Sequence, residues 1–88
     1  MSSAAYAVNL KRSAQKEVRA LDAGIRLRVI PAIRELETES RPVGCRKLVG
    51  SENRWRIRVG DFRIIYTIDD AGRAVDVIAV RHRSKAYE

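Results

Sequence analysis

The residues most able to do chemistry in this chain are arginines, and their spacing is regular. Arg54, Arg56 and Arg58 alternate with Trp55, Ile57 and Val59, and Arg63 follows shortly after. Alternation with period two is the mark of a half-buried strand. Gly60-Asp61, between Val59 and Phe62, has the composition of a two-residue hairpin loop with glycine first, the type II′ pattern. Such a hairpin sets Val59 opposite Phe62, Arg58 opposite Arg63, Ile57 opposite Ile64 and Trp55 opposite Tyr66. One face then carries Trp55, Ile57, Val59, Phe62, Ile64, Tyr66 and Ile68. The other carries Arg54, Arg56, Arg58 and Arg63, with Ile65 and Thr67 behind them. A guanidinium is planar and permanently charged, and it grips phosphate or carboxylate through two parallel hydrogen bonds. Like charges placed opposite each other cost roughly 0.2–1 kcal/mol. A face selected only for solubility would mix signs; four arginines without an acid fit an anion site better.

A second basic cluster closes the chain: Arg81, His82, Arg83 and Lys85, with Tyr87 beyond them. A strand ending there beside residues 62–69 would deliver Arg81 or Arg83 to the arginine face. Tyr87 would then lie near that face or pack on the sheet edge. His82 reads more simply as an exposed strand-end residue than as a catalyst. It is the only histidine and Cys45 the only cysteine, which excludes an internal disulfide, a cysteine-based zinc site and any two-histidine mechanism.

Composition frames these motifs. Eighteen Lys+Arg against eleven Asp+Glu give a net charge of +7, and fourteen of the eighteen are arginine. The sequence pI is near 10.3. That balance points to a polyanionic partner: nucleic acid, a ribosome or an acidic protein. At 45% hydrophobic the chain is expected to fold, and its 88 residues are expected to form one domain, residues 1–88. No apolar run approaches the ~20 residues of a membrane span. The first residues lack the signal-peptide pattern, and a lone cysteine fits a reducing compartment, so a cytoplasmic location is expected.

The elements that must position the arginines follow from periodicity. Tyr6, Val8 and Leu10 alternate as a short strand. Ser13 stands where a helix N-cap belongs, with Ala14, Val18 and Leu21 on one stripe and Gly24 as the C′ residue. A second helix is predicted over 25–39, kinked or starting late because of Pro31. Residues 40–44 read as a loop, 47–49 as a brief strand, then 54–59 and 62–69 as the hairpin, 74–81 as the last strand, and 84–88 as a tail or single helical turn. The expected class is α+β: two helices on one face of a mostly antiparallel sheet, in the order β-α-α-β-β-β-β.

Residues 55–66 (Trp-Arg-Ile-Arg-Val-Gly-Asp-Phe-Arg-Ile-Ile-Tyr), the preceding Lys47-Leu48 and Gly50, and the closing Val80-Arg-His-Arg-Ser-Lys-Ala-Tyr87 resemble the RelE/ParE toxin superfamily. The element order agrees over nearly the whole chain, which implies the RelE-like microbial ribonuclease-type fold. The resemblance implies a toxin of a type II toxin–antitoxin system, a ribosome-dependent endoribonuclease that cuts mRNA in the ribosomal A site with no metal and no cofactor. Its implied partners are a cognate antitoxin, the A-site mRNA and 16S rRNA, with operator DNA reached only through the antitoxin complex and no membrane. On this resemblance Arg56, Arg58, Arg63, Arg81 and Tyr87 fall on catalytic positions. Arg54, His82, Arg83 and Lys85 are the neighbouring substrate-binding candidates.

The chain departs from the best-known RelE members, which carry lysines where Arg56 and Arg58 stand. Arginine stays protonated at any relevant pH, so these two read as electrostatic clamps, not proton acceptors. The base would be Tyr87, His82, Lys85 or a group of the ribosome. Two other readings share the fold: a ParE-like inhibitor of DNA gyrase, which does not require the arginine face, and a non-catalytic module that still binds antitoxin.

Overall fold

The computed structural model describes residues 5–50 and 52–85. Its elements are β1 (Ala7–Leu10), α1 (Arg12–Arg19), α2 (Ala23–Glu35), β2 (Arg46–Lys47), β3 (Trp55–Val59), β4 (Phe62–Asp69), β5 (Ala74–His82) and a 3-10 turn at Arg83–Lys85. The five strands form one sheet in the order β1-β5-β4-β3-β2. Only β1 runs parallel to its neighbour; the other pairs are antiparallel. The expected α+β class and element order therefore hold.

Both helices cover the same face of the sheet. Ala14, Val18 and Leu21, together with Val29, Ile33 and Leu36, bury against Ile57, Ile64, Tyr66, Ile68, Val75, Val77 and Val80. The hairpin registers as the sequence dictates: Val59 pairs with Phe62, Arg58 with Arg63, Ile57 with Ile64 and Trp55 with Tyr66. Gly60 takes φ 59°, the value the first position of a type II′ turn demands. Tyr66 is fully buried and spends its hydroxyl on the Ser40 carbonyl at 2.9 Å.

Four local expectations are corrected. Ser13 is not a cap, since Lys11 holds that position without a side-chain hydrogen bond. α1 also stops at Arg19, well before Gly24, and α2 starts early, at Ala23. The Arg26 guanidinium donates to the carbonyls of Val18 and Arg19, which satisfies the end of α1, and to that of Leu21 just beyond it. Gly24 consequently lies in the first turn of α2. Pro31 sits inside α2, and the helix continues past it because Val29, Ile33 and Leu36 are anchored in the core. β2 occupies residues 46–47 instead of 47–49.

Strand β5 is irregular in two ways. Ile65 pairs with Ala79 but Tyr66 pairs with Val77, so Ile78 is an extra residue, a bulge. It lets Val77 and Val80, three apart, face the same core. Beyond Val77, β5 also loses β1 as an edge partner, and α1 takes over. Ser13 Oγ donates to the Ile78 carbonyl at 2.9 Å, and Glu17 Oε1 accepts the Val80 N–H at 2.8 Å. Four residues of helix advance ~6.0 Å and two of strand ~6.6 Å, so the side chains match the strand's spacing.

At the opposite end of the sheet, Asp70 accepts the Tyr6 hydroxyl at 2.6 Å and a two-pronged Arg41 at 2.9 and 3.2 Å. Arg41 also lies over the Trp55 ring, 4.8 Å from its centroid. This clamp joins the start of β1, the loop before β2 and the β4–β5 turn.

Candidate functional site

The face of the sheet away from the helices carries the arginines in two transverse rows. Arg58, Arg63 and Arg81 are register partners across β3, β4 and β5. Two residues along, Arg46 and Arg56 are partners across β2 and β3, and the row continues as Ile65 and Ala79. Neighbouring strands lie ~4.8 Å apart, so three arginine backbones fall within ~10 Å. The apolar end of this second row is a floor, where Leu48, Ile65 and Ala79 pack as a small buried cluster. The sequence pattern located Ile65 there but did not single out Leu48.

Two hollows open on this face. One, of about 360 Å³, is lined by Arg46, Lys47, Leu48, Val49, Arg56 and Arg63. The other, of about 100 Å³, is bounded by Arg58, Gly60, Asp61, Phe62, Arg63 and Arg83. Arg83 reaches it because its backbone N–H donates to the Asp61 carbonyl at 2.7 Å, which pins the start of the 3-10 turn to the hairpin loop. The loop is tight on its other side too: a Cβ added at Gly60 would stand 3.1 Å from Nη1 of Arg28. Arg28, on α2, is a cation beside the hairpin that periodicity alone does not reveal.

The structure brings Arg56, Arg58, Arg63 and Arg83 together around these hollows and leaves Arg54 exposed, just before β3. Arg81 lines neither hollow and turns toward α1 at the β5 edge of the sheet. Its Nε donates to Glu17 Oε2 at 2.9 Å, and the side chain lines a larger groove of about 710 Å³ with Leu21, Ile25, Phe62, His82 and Lys85. His82 stands edge-on to Phe62, with ring centroids 5.4 Å apart. Its Nδ1 lies 2.9 Å from Ser84 Oγ and accepts the Ser84 N–H at 3.2 Å, which ties that side of the ring into the 3-10 turn. Lys85 is exposed in the 3-10 turn. Tyr87 lies outside the described residues.

The chemistry available to such a face is anion binding. Several guanidinium groups meeting over an apolar floor suit a phosphodiester flanked by nucleobases. Among the described residues, no group of three or more His, Cys, Asp or Glu is placed to hold a metal ion, and no helix is long and apolar enough to cross a membrane.

Comparison with known proteins identifies the family and the fold. The family model for the ParE toxin of the type II toxin–antitoxin system parDE matches residues 8–87. No curated protein sequence matches the chain. Several solved structures do. A chain of the archaeal RelE–RelB complex from Pyrococcus horikoshii OT3 superposes with a TM-score of 0.80 at 24% identity, covering 93% of this chain and 99% of that one. The intact E. coli RelBE toxin–antitoxin complex gives 0.78 at 27% identity, with 96% and 100% covered. The Mycobacterium tuberculosis RelBE2 complex gives 0.78 at 26% identity, with 96% and 98% covered.

Proposed function

The chain belongs to the ParE toxin family of type II toxin–antitoxin systems, and from that premise we propose that it is a RelE-like, ribosome-dependent endoribonuclease, cutting mRNA in the ribosomal A site without a metal ion. The observation that carries this reading is the convergence of Arg56, Arg58, Arg63 and Arg83 from three elements onto one face. A gyrase inhibitor has no need of such a phosphate cradle.

In the reaction, the 2′-hydroxyl oxygen of one nucleotide attacks its own 3′-phosphate. The new O2′–P bond forms as the bond to the next nucleotide's 5′-oxygen breaks, giving a 2′,3′-cyclic phosphate. The hydroxyl proton passes to a base, and the leaving oxygen takes one up. Arg58 and Arg63 clamp the phosphate, Arg56 and Arg83 support them, and together they stabilise the charge that builds on the non-bridging oxygens. Tyr87 serves proton transfer or base stacking. The base is Tyr87, His82, Lys85 or a ribosomal group, since arginine stays protonated. The ribosome orients the substrate, so activity on free RNA is weak.

The resting partner is a cognate antitoxin. Solved RelE–RelB and RelBE complexes of the same fold support it, and so does the +7 charge that an acidic segment would neutralise.

A second reading, gyrase inhibition without nuclease chemistry, is favoured by the family model itself, which is named for ParE. Induction without antitoxin followed by primer extension separates the two. The nuclease reading expects growth arrest with codon-phased cuts in mRNA, relieved by Arg63→Ala or Tyr87→Phe. Intact mRNA with damaged DNA would establish the second reading instead.

A further inference from the structure

The contact between Glu17 and Arg81 couples α1 to the candidate site. Glu17 is held twice. Oε1 accepts the Val80 backbone N–H at 2.8 Å, and Oε2 accepts Arg81 Nε at 2.9 Å. The first bond makes the carboxylate a fixed post, because a strand backbone does not swing as a side chain does. The second fixes the guanidinium by its inner nitrogen. Among the described contacts, neither terminal amino group of Arg81 has a hydrogen bond, and its side chain is 45% exposed while Glu17's is 29%. The end-on edge of the fork, the edge that grips phosphate in pairs, is thus left open. Arg81 is also the register partner of Arg63, at the β5 end of the Arg58–Arg63 row.

We infer that Glu17 is a positioning residue: it anchors Arg81 through Nε so that the two terminal amino groups are presented to the phosphate at the edge of the arginine face. The bland alternative is an ion pair that only helps α1 cover the bare edge of β5. Ser13 already does that task one turn earlier, by its bond to Ile78, and an uncharged acceptor at position 17 would serve Val80 equally well. A carboxylate is needed only for Arg81. The inference rests on the phosphate-binding reading of the arginine face, and its test keeps the two apart.

The purified toxin is compared as wild type, Glu17→Gln, Glu17→Ala, Arg81→Ala and the double variant Glu17→Ala/Arg81→Ala. Cleavage is followed on mRNA-programmed ribosomes. Glu17→Gln, which keeps an acceptor for Val80, guards against simple misfolding. Glu17→Ala is expected to lower kcat roughly ten- to a hundredfold with KM little changed, as misplacement of a catalytic group does. Added to Arg81→Ala it should lower kcat no further, because the partner it positions is gone. A loss that multiplies in the double variant, or an unchanged kcat in Glu17→Ala, overturns the inference. In parallel, the Arg81 Nε–H resonance is followed by nitrogen-15 NMR while inorganic pyrophosphate is added. It should be sharp and responsive in the wild type and broadened by exchange in Glu17→Ala. An equally sharp signal in Glu17→Ala also overturns it. If the wild type cuts no mRNA, the nuclease reading falls, and the NMR arm decides the anchoring of Arg81 alone.

Discussion

Arg58 and Arg63 face each other across the β3–β4 hairpin, one residue beyond the pair that closes the turn. With a two-residue loop this second pair has no hydrogen bonds between its backbones, and its Cα atoms approach to ~4.5 Å. Two arginine side chains therefore spring from the closest backbone spacing a sheet offers. Arg83 is tied over the same turn by a backbone bond to Asp61.

Arg58→Ala should consequently separate stability from activity. Loss of the like-charge pair raises stability by about 0.5 kcal/mol, seen as a slightly higher Tm in low salt. Growth arrest on induction should fall sharply in the same variant. A lower Tm, or undiminished toxicity, would count against the site.

Arg26 tests the helical layer. Its three bonds to the carbonyls of Val18, Arg19 and Leu21 close an α1 of only eight residues. Removing a half-buried donor that serves several acceptors costs ~1–3 kcal/mol. Arg26→Ala should therefore lower Tm by roughly 4–8 °C per kcal/mol lost. Arg26→Lys, a point charge without a fork, should recover only part of the loss. Thermal unfolding followed by circular dichroism measures both.

The clamp at the far end of the sheet predicts the pH profile. Hydrogen bonds from Arg41 and Tyr6 hold Asp70 below its ordinary 3.8, so its contribution is present above that pKa and is lost as pH falls through the lowered value. The bond to Asp70 raises Tyr6 above its ordinary 10.0, so its contribution is present below that pKa and is lost as pH rises through the raised value. Stability from this cluster should be flat between those limits and decline at both ends. Asp70→Asn should lower the plateau and shrink both declines. An unchanged profile in that variant, measured by urea unfolding from pH 3 to 11, would refute the assignment.

The hairpin is legible in the sequence because its signals are local. Alternation from Trp55 to Ile68 sets the faces, and Gly60-Asp61 fixes the register within two residues. The arginine face follows from those two facts. What the sequence hides depends on partners far along the chain. Ser13 looks like a cap, yet its hydroxyl serves Ile78, and Glu17 reads as one more surface acid until Val80 and Arg81 are placed beside it. The bulge at Ile78 breaks the period that would pair β5 correctly. The end of α1 is hidden for a similar reason: an arginine in the next helix satisfies it, where the local signal is Gly24. The sequence places Leu48 in a brief strand, but its packing with Ile65 and Ala79 is hidden because so short a segment carries no periodicity.

A phosphate site without a bound nucleic acid can still be detected by linkage. An anion that binds only the folded state stabilises it by RT ln(1 + [L]/Kd), about 1.4 kcal/mol at ten times Kd. Inorganic pyrophosphate should therefore raise Tm by several degrees in dilute buffer. Arg58→Ala and Arg63→Ala should each weaken the effect. Arg12→Ala or Arg19→Ala, on exposed positions of α1 outside the hollows, should leave it intact. Raising the salt from 0.05 to 0.5 M should diminish it, since the screening length falls from more than ~10 Å to less than ~8 Å. Equal shifts in all four variants would mean that the anion senses only the net charge of +7, and the arrangement of the arginines on the sheet would then have no part in binding.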